Sequence, residues 1–422
     1  MAQSSFTSSL PKHYQSVLRN GLEVVIIPLK NGSGVISTDI FYKVGSRNEI
    51  MGKSGIAHML EHLNFKSTKN LKAGEFDKII KSFGGATNAA TSFDYTHYYV
   101  KSSTQNLGKS LELFAEVMQN LQLKDEEFQP ERNVVLEERL WRTDNNPMGY
   151  LYFRLFNTAF VYHPYHWTPI GFIEDIKNWT IEDIKNFHKT YYQPKNAVIV
   201  IAGDIDEKVA LKEVKKHFEL IKNSKIEIPA FYTIEPKQDG LRRTAVHKQS
   251  EVEILALAFK IPPFNHKDQI ALSALSQILS GGKSSVLMRE IVDKKRLAIE
   301  IYAYNMDLLD EGVFLFIALA SPNVNLEKLE KEIMAQIRFI ANGKLKQRDL
   351  DKVKLNMKLS FLEGLQSSSS VASLFGSYIA RGDLQALLEF EENFESLKLG
   401  DIVEVAKKYF VPSNLSVATL EK

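Results

Sequence analysis

The residues best placed to do chemistry lie in the segment Ser54–Phe65, SGIAHMLEHLNF. Ile56, Met59, Leu60 and Leu63 recur at i, i+3, i+4 and i+7, which predicts an amphipathic helix with one apolar face and Ser54 as its N-cap. At about 100° per residue, His58 and His62 fall together on the other side, one turn apart, with Glu61 beside them. Two imidazoles at that spacing can reach one metal ion. A Zn²⁺ held by two His and one carboxylate keeps a fourth position for water and lowers that water's pKa toward about 7. Glu61 would then take the water's proton during attack on a peptide carbonyl. The bland alternative is a solvated helix face.

H-x-x-E-H supplies two ligands, so a third must come from elsewhere. In ERNVVLEERLW, Glu131 and Glu138 stand seven apart and share a helix face. Periodicity does not choose between Glu137 and Glu138, because apolar residues surround this helix on several sides. HMLEH is the inverted zinc motif. The sequence around it resembles the pitrilysin/insulinase-type (M16) zinc peptidases, in particular bacterial members of this chain's length related to the mitochondrial processing peptidase. The resemblance implies that Glu138, 76 residues after His62, is the third ligand. It makes Glu131 a candidate for orienting a ligand from behind. In FGGATNAATSFDYTHYY (Phe83–Tyr99), a Gly84–Gly85 turn precedes Asn88–Thr91, which resembles the family's N-A-x-T edge strand. Asn88, Ala89 and Thr91 are thereby implied as substrate-binding, since an unpaired sheet edge offers N–H and C=O groups to an extended peptide.

Several elements must position these residues. In the first half, strands are predicted at Leu22–Pro28, Val35–Val44, Thr96–Ser102 and Ala197–Ala202, with helices over 54–64, 75–83, 107–121, 127–142 and 180–191. In the second half, strands are predicted at Ile254–Ile261, Gly312–Ala320 and Leu415–Leu420, with helices near 267–280, 326–341, 347–364 and 400–409. Strands and helices mix without regular alternation, which predicts α+β domains, and the resemblance implies mainly antiparallel sheets.

An internal repeat organises the chain. Residues 172–198 and 390–416 match at a constant offset of 218, Phe172 with Phe390, Asp183 with Asp401, Tyr191 with Tyr409, Pro194 with Pro412 and Asn196 with Asn414. A period this long fits duplication of a domain rather than a solenoid. The polar, Pro-containing stretch 222–245 is the expected boundary, giving an N-terminal zinc-binding domain over 1–222 and a homologous C-terminal domain over 223–422. Asp268–Leu279, which matches the zinc helix, contains no His, so one Zn²⁺ per chain is expected.

The resemblance thins in Gly281–Tyr304. There the family carries an Arg and a Tyr, seven residues apart, that hold substrate; this chain has Val292 and Ile299, with Arg296 and Tyr302 nearby but out of register. His163, His166 and Trp167 in VYHPYHWTP read as a structural loop near the cleft, because Pro164 separates the histidines and no helical period surrounds them. SGGKSS (Ser280–Ser285) lacks the spacing of a phosphate loop and reads as a turn before a helix.

Composition closes off other classes. Hydrophobic residues are 44% and charged residues 25%, ordinary for a globular protein and unlike a disordered one. Lys plus Arg number 53 against 51 acids, a net charge of +2 that argues for neither nucleic acid nor a membrane surface. Cysteine is absent, which removes thiolate nucleophiles and Cys-based zinc sites. Met1–Gln15 is Ser-rich with no apolar core, and no run of 18 apolar residues follows, so a cytoplasmic protein is expected. The reading is a zinc metalloendopeptidase cutting extended peptides or unfolded segments. Its rival is a non-catalytic or half-catalytic subunit that needs a related chain. Full-length members of the family close four domains around a chamber, so a two-domain chain is expected to homodimerise, with a heterodimer as the alternative.

Overall fold

The near-continuous apolar runs LEVVIIP and AVIVIA lie at the heart of one sheet, buried on both faces, as such runs require. The structure is a computed structural model and describes residues 8–422; the first seven residues of the polar opening run lie outside it. The first sheet contains β1 (Tyr14–Val17), β2 (Glu23–Pro28), β3 (Val35–Tyr42), β4 (Ala86–Thr91), β5 (Thr96–Ser103) and β6 (Ala197–Gly203). Their order is β1-β2-β6-β3-β5-β4, antiparallel throughout except for β2 beside β6. The second sheet contains β7 (Arg242–His247), β8 (Ile254–Ile261), β9 (Ala298–Met306), β10 (Gly312–Ala320) and β11 (Leu415–Glu421), ordered β7-β11-β8-β10-β9, with β7 and β11 parallel. The two orders superpose position for position once β1 is set aside. The fold is α+β with two sheets of the expected mainly antiparallel kind.

The repeat is visible at each element. Helix Ile181–Tyr191 corresponds to Leu399–Tyr409, turn Pro194–Asn196 to Pro412–Asn414, and β6 to β11, all at an offset of 218. The matched asparagines have one job: Asn196 Nδ2 donates to the Tyr191 carbonyl at 2.9 Å, and Asn414 Nδ2 to the Tyr409 carbonyl at 2.8 Å. Each ties the last turn of its helix to the strand that follows, satisfying a carbonyl the helix leaves unpaired.

The helices predicted from periodicity cover one face of each sheet. Ile56–Leu63, Leu107–Asn120 and Ile181–Tyr191 pack on the first, and Gln269–Ser280, Leu326–Ala341, Gln347–Gly364 and Leu399–Tyr409 on the second. The other faces are covered by exchange. Helix Pro147–Ala159, from the first half, lays Leu151, Leu155 and Phe156 on Ala256, Ala258, Val313 and Leu420 of the second sheet. Helix Ser368–Ala380, from the second half, lays Val371, Phe375 and Ile379 on Val25, Ile27, Phe41 and Val200 of the first. The approach is close: a Cβ on Gly376 would fall 2.0 Å from the Phe41 ring, so only glycine fits there. Neither crossing helix was predicted, nor were helix Glu207–Phe218 and strands β1 and β9. The boundary stretch also departs from expectation: 222–241 is irregular, but β7 begins at Arg242 inside it. Among the described residues, no helix is long and apolar enough to cross a membrane.

Candidate metal centre

Helix Ile56–Leu63 buries Ile56, Met59, Leu60 and Leu63, the face read from the sequence. Its start differs from expectation. Ser54 is not the N-cap: Gly55 holds that place at φ 84°, and a Cβ there would sit 2.6 Å from the Ile170 carbonyl oxygen. Ser54 Oγ instead donates to Asp175 at 2.6 Å and accepts from the Phe172 N–H at 2.8 Å. The orphan N–H groups of the first turn go to Glu49, which accepts from Gly55 and Ala57, each at 2.8 Å, and from Trp167 Nε1 at 2.8 Å. Burial raises the Glu49 pKa to about 8 against the pull of these three donors.

On the opposite side of the helix the His58 and His62 rings meet edge to face, centroids 4.7 Å apart. Helix Asp125–Arg139 crosses them and brings Glu138 Oε2 to 3.6 Å from His58 Nε2 and 3.4 Å from His62 Nε2. A tetrahedral ion with bonds of about 2.0–2.1 Å would hold its ligand atoms about 3.3–3.4 Å apart, so these three groups fit Zn²⁺. Among the described residues they form the one cluster of His and carboxylate groups close enough to hold an ion. Glu137, the alternative that periodicity left open, is exposed.

A second layer holds the ligands. Glu131 Oε1 accepts from His62 Nδ1 at 2.8 Å, which turns Nε2 toward Glu138. Lys66 Nζ lies 2.5 Å from the other Glu131 oxygen, and Arg142 Nε lies 2.9 Å from Glu138 Oε1. His58 Nδ1 is buried and has no such partner among the described residues. Glu61 lies beside the pair, its Oε2 accepting from Thr91 Oγ1 at 2.6 Å.

Thr91 ends β4, which among the described residues pairs with β5 alone and leaves its other edge open. The three residues expected to bind substrate do not act from one side. Thr91 turns toward the zinc helix, as does Ala89 by the alternation of the strand, whereas Asn88 is exposed on the other face, opposite Tyr99 of β5.

Residues 25–163, which hold His58, Glu61, His62, Glu131 and Glu138, match the family model described as Insulinase (Peptidase family M16). Residues 178–357 match one described as Peptidase M16 inactive domain. The zinc protease PqqE of Helicobacter pylori is 59% identical over 405 residues, 96% of this chain and 91% of that one. The chain belongs to the M16 peptidase family. A crystal structure of a protease from Helicobacter pylori superposes with a TM-score of 0.96 at 57% identity, covering 98% of this chain and 100% of that one. A more distant M16 relative is the probable mitochondrial-processing peptidase subunit beta of Arabidopsis thaliana, 26% identical over 436 residues, 100% of this chain and 80% of that one.

Electrostatics in the M16 cluster follow from its layers. Burial works against charge on His62, but the bonds to Glu131 and Glu138 prevail and carry its pKa to about 9. Burial, then the neighbouring His62, pushes His58 down to about 4. The bond with His62 is the main cause that keeps Glu138 below the usual carboxylate range. Without metal these carboxylates favour an extra proton on His62, and an ion bound at its Nε2 must displace the proton there. Glu61 is raised, chiefly by burial, which suits a group that must take up a proton.

Lys66 and Arg142 escaped the sequence reading. Arg142 stands four residues after Glu138, the spacing at which helical side chains meet, and that was its available signal. Lys66 lies past the end of helix Ile56–Leu63 and meets Glu131, distant in sequence, so no local signal marked it. The His163–Trp167 segment is structural, as read: His163 Nε2 lies 3.0 Å from Asp310, and His166 Nδ1 donates to the Phe160 carbonyl at 2.5 Å. At the positions of the family's Arg/Tyr pair, Val292 packs on the second core and Ile299 is half-exposed, while Tyr302 stands out from β9.

Proposed function

We propose that this M16 chain is a zinc-dependent metalloendopeptidase that hydrolyses extended peptides or unfolded segments. The observation that carries the reading is the convergence of His58 Nε2, His62 Nε2 and Glu138 Oε2, with the Glu61 carboxylate alongside. Zn²⁺ bound there, one per chain, would polarise water and the scissile carbonyl. The chain's own residues do the rest. His58, His62 and Glu138 hold the ion, Glu131 fixes the His62 tautomer, and Arg142 balances charge on Glu138. Glu61 takes a proton from water as general base and can return it to the leaving amine. The open edge of β4 holds the peptide extended by main-chain hydrogen bonds, which explains broad sequence tolerance. In this reading residues 1–222 are the catalytic half and 223–422 the homologous half without a metal site.

Metal analysis with peptide digestion tests the proposal. The expected result is one zinc per chain and chelator-sensitive cleavage of a mixed peptide library. Less than half an equivalent of zinc, with no gain on adding more, would sink it.

One observation favours a second reading: Val292 and Ile299 leave the family's substrate-holding pair absent, so another chain would supply it. A heterodimer with a related chain could supply that pair, whereas a homodimer carries it in neither copy. We propose the homodimer as the working assembly on the prevalence of symmetric pairs alone, with the heterodimer as the alternative. Light scattering with parallel activity separates these. Full activity from a monomer rejects both, and activity appearing only on adding a related chain selects the heterodimer.

A further inference from the structure

The first structural question about Glu61 is what holds it. Glu131 fixes His62 and Arg142 braces Glu138, each on the ligand side of the cluster. Among the described residues the side-chain donor to Glu61 is Thr91 Oγ1, and the Thr91 backbone also favours its charged form. That donor comes from the last residue of the edge strand. Immediately after it the chain turns, with Ser92 N–H donating to the Tyr95 carbonyl at 2.9 Å. The turn is pinned to the second half through Asp94, which accepts from the Leu309 N–H at 2.9 Å, and to its own half through the Tyr165 hydroxyl, which donates to Asp94 at 2.5 Å. The position of Thr91 is thus anchored on its C-terminal side and open along the free edge of β4.

Threonine suits the task. Its branched side chain leaves few χ1 rotamers, so the hydroxyl follows the strand backbone closely. A peptide added to β4 would saturate the free edge and stiffen the strand, and with it the hydroxyl that grips Glu61.

We propose that Thr91 is a positioning residue that links the open edge of β4 to Glu61, holding the base in its proton-accepting pose when a peptide docks as an added strand. The inference rests on the reading of Glu61 as general base and adds what governs its pose. It separates Thr91 from Asn88, whose side chain lies on the other face of the sheet.

The experiment compares Thr91→Val, which keeps the shape and removes the hydroxyl, with Thr91→Ser, which keeps the hydroxyl. Both are assayed on a fluorogenic peptide, their zinc affinity is measured by chelator competition, and peptide binding is measured by anisotropy in a Glu61→Gln background. Losing one hydrogen bond to a charged group should lower kcat of Thr91→Val by about 10- to 100-fold. Its KM, zinc affinity and, in the Glu61→Gln background, peptide affinity should stay within about threefold, the scale expected when binding contacts are untouched. Thr91→Ser should restore most of kcat, and Thr91→Val should add no further loss to Glu61→Gln.

Unchanged kcat in Thr91→Val, beside an inactive Glu61→Gln, overturns this inference and leaves the base reading standing. A rise in KM with kcat intact overturns it in favour of a direct substrate contact. Loss of zinc affinity overturns it in favour of a structural role. Full activity in Glu61→Gln removes the base reading itself, and this inference with it.

Discussion

Two edge strands, β4 and β9, occupy the same place in their sheets, and each lies against a helix that follows the third strand position of its half. What joins strand to helix differs. In the second half, Asn305 Nδ2 of β9 donates to Gln269 Oε1 and Ser273 Oγ, each at 2.9 Å, and Ser280 Oγ bonds both the N–H and the carbonyl of Ala303. Those side chains are spent on holding the layers together. In the first half, the corresponding polar junction is Thr91 on Glu61, and His58 and His62, three residues before Glu61 and one after it, are left to face Glu138. The scaffold does not dictate chemistry. A few polar side chains at one helix–strand junction decide whether it is a fastener or a reaction site.

The comparison can be broken most decisively at the base. Glu61→Gln should lower peptide turnover by about 10²–10⁴-fold while zinc content stays at wild-type level, read by steady-state kinetics and metal analysis. Retained turnover would mean that the first junction is no more catalytic than the second. Next in size are the crossing helices, which should matter equally to both halves. Phe156→Ala and Phe375→Ala, each at a buried site, should each cost about 3–5 kcal/mol in denaturant unfolding. Loss of only one of two transitions would show halves that unfold separately.

A smaller effect sharpens the role of the second layer. Glu131→Gln should weaken zinc binding by about 10–100-fold in chelator competition, because a neutral amide replaces the carboxylate that accepts from His62. The smallest change tests the other junction. Asn305→Ala should cost about 1 kcal/mol of stability and leave zinc affinity unaltered.

Legibility followed locality. The ligand pair and its apolar back face were readable because both lie within one helix and share its period. The repeat was readable because Pro194 and Asn196, like Pro412 and Asn414, act on neighbours a few residues away. Glu138 over Glu137 was not readable from periodicity, since apolar residues do not mark one face of that helix: Phe128 and Val135 are buried on one side while Val134, well off that face, is exposed. Helix Pro147–Ala159 was hidden for the same reason. Phe153 packs on Phe172 in its own half while Leu151 and Leu155 face the other, so no single apolar stripe stands out. In β9, Tyr302 and Tyr304 point outward and blur the alternation that marks a strand. Ser54 misled because Asp175, 121 residues away, claims its hydroxyl.

The exchanged helices have a consequence for the chain as an inherited object. Each half carries the lid for the other's sheet, so a cut within the exposed stretch 223–230 would sever the polypeptide without freeing either piece. The fragments would travel together through a sizing column, whereas the first piece made alone would offer Val25, Ile27, Val198 and Val200 to water and clump. A gene for the first half could therefore not discard its companion and prosper. The second half keeps its place whether or not it ever touches a substrate.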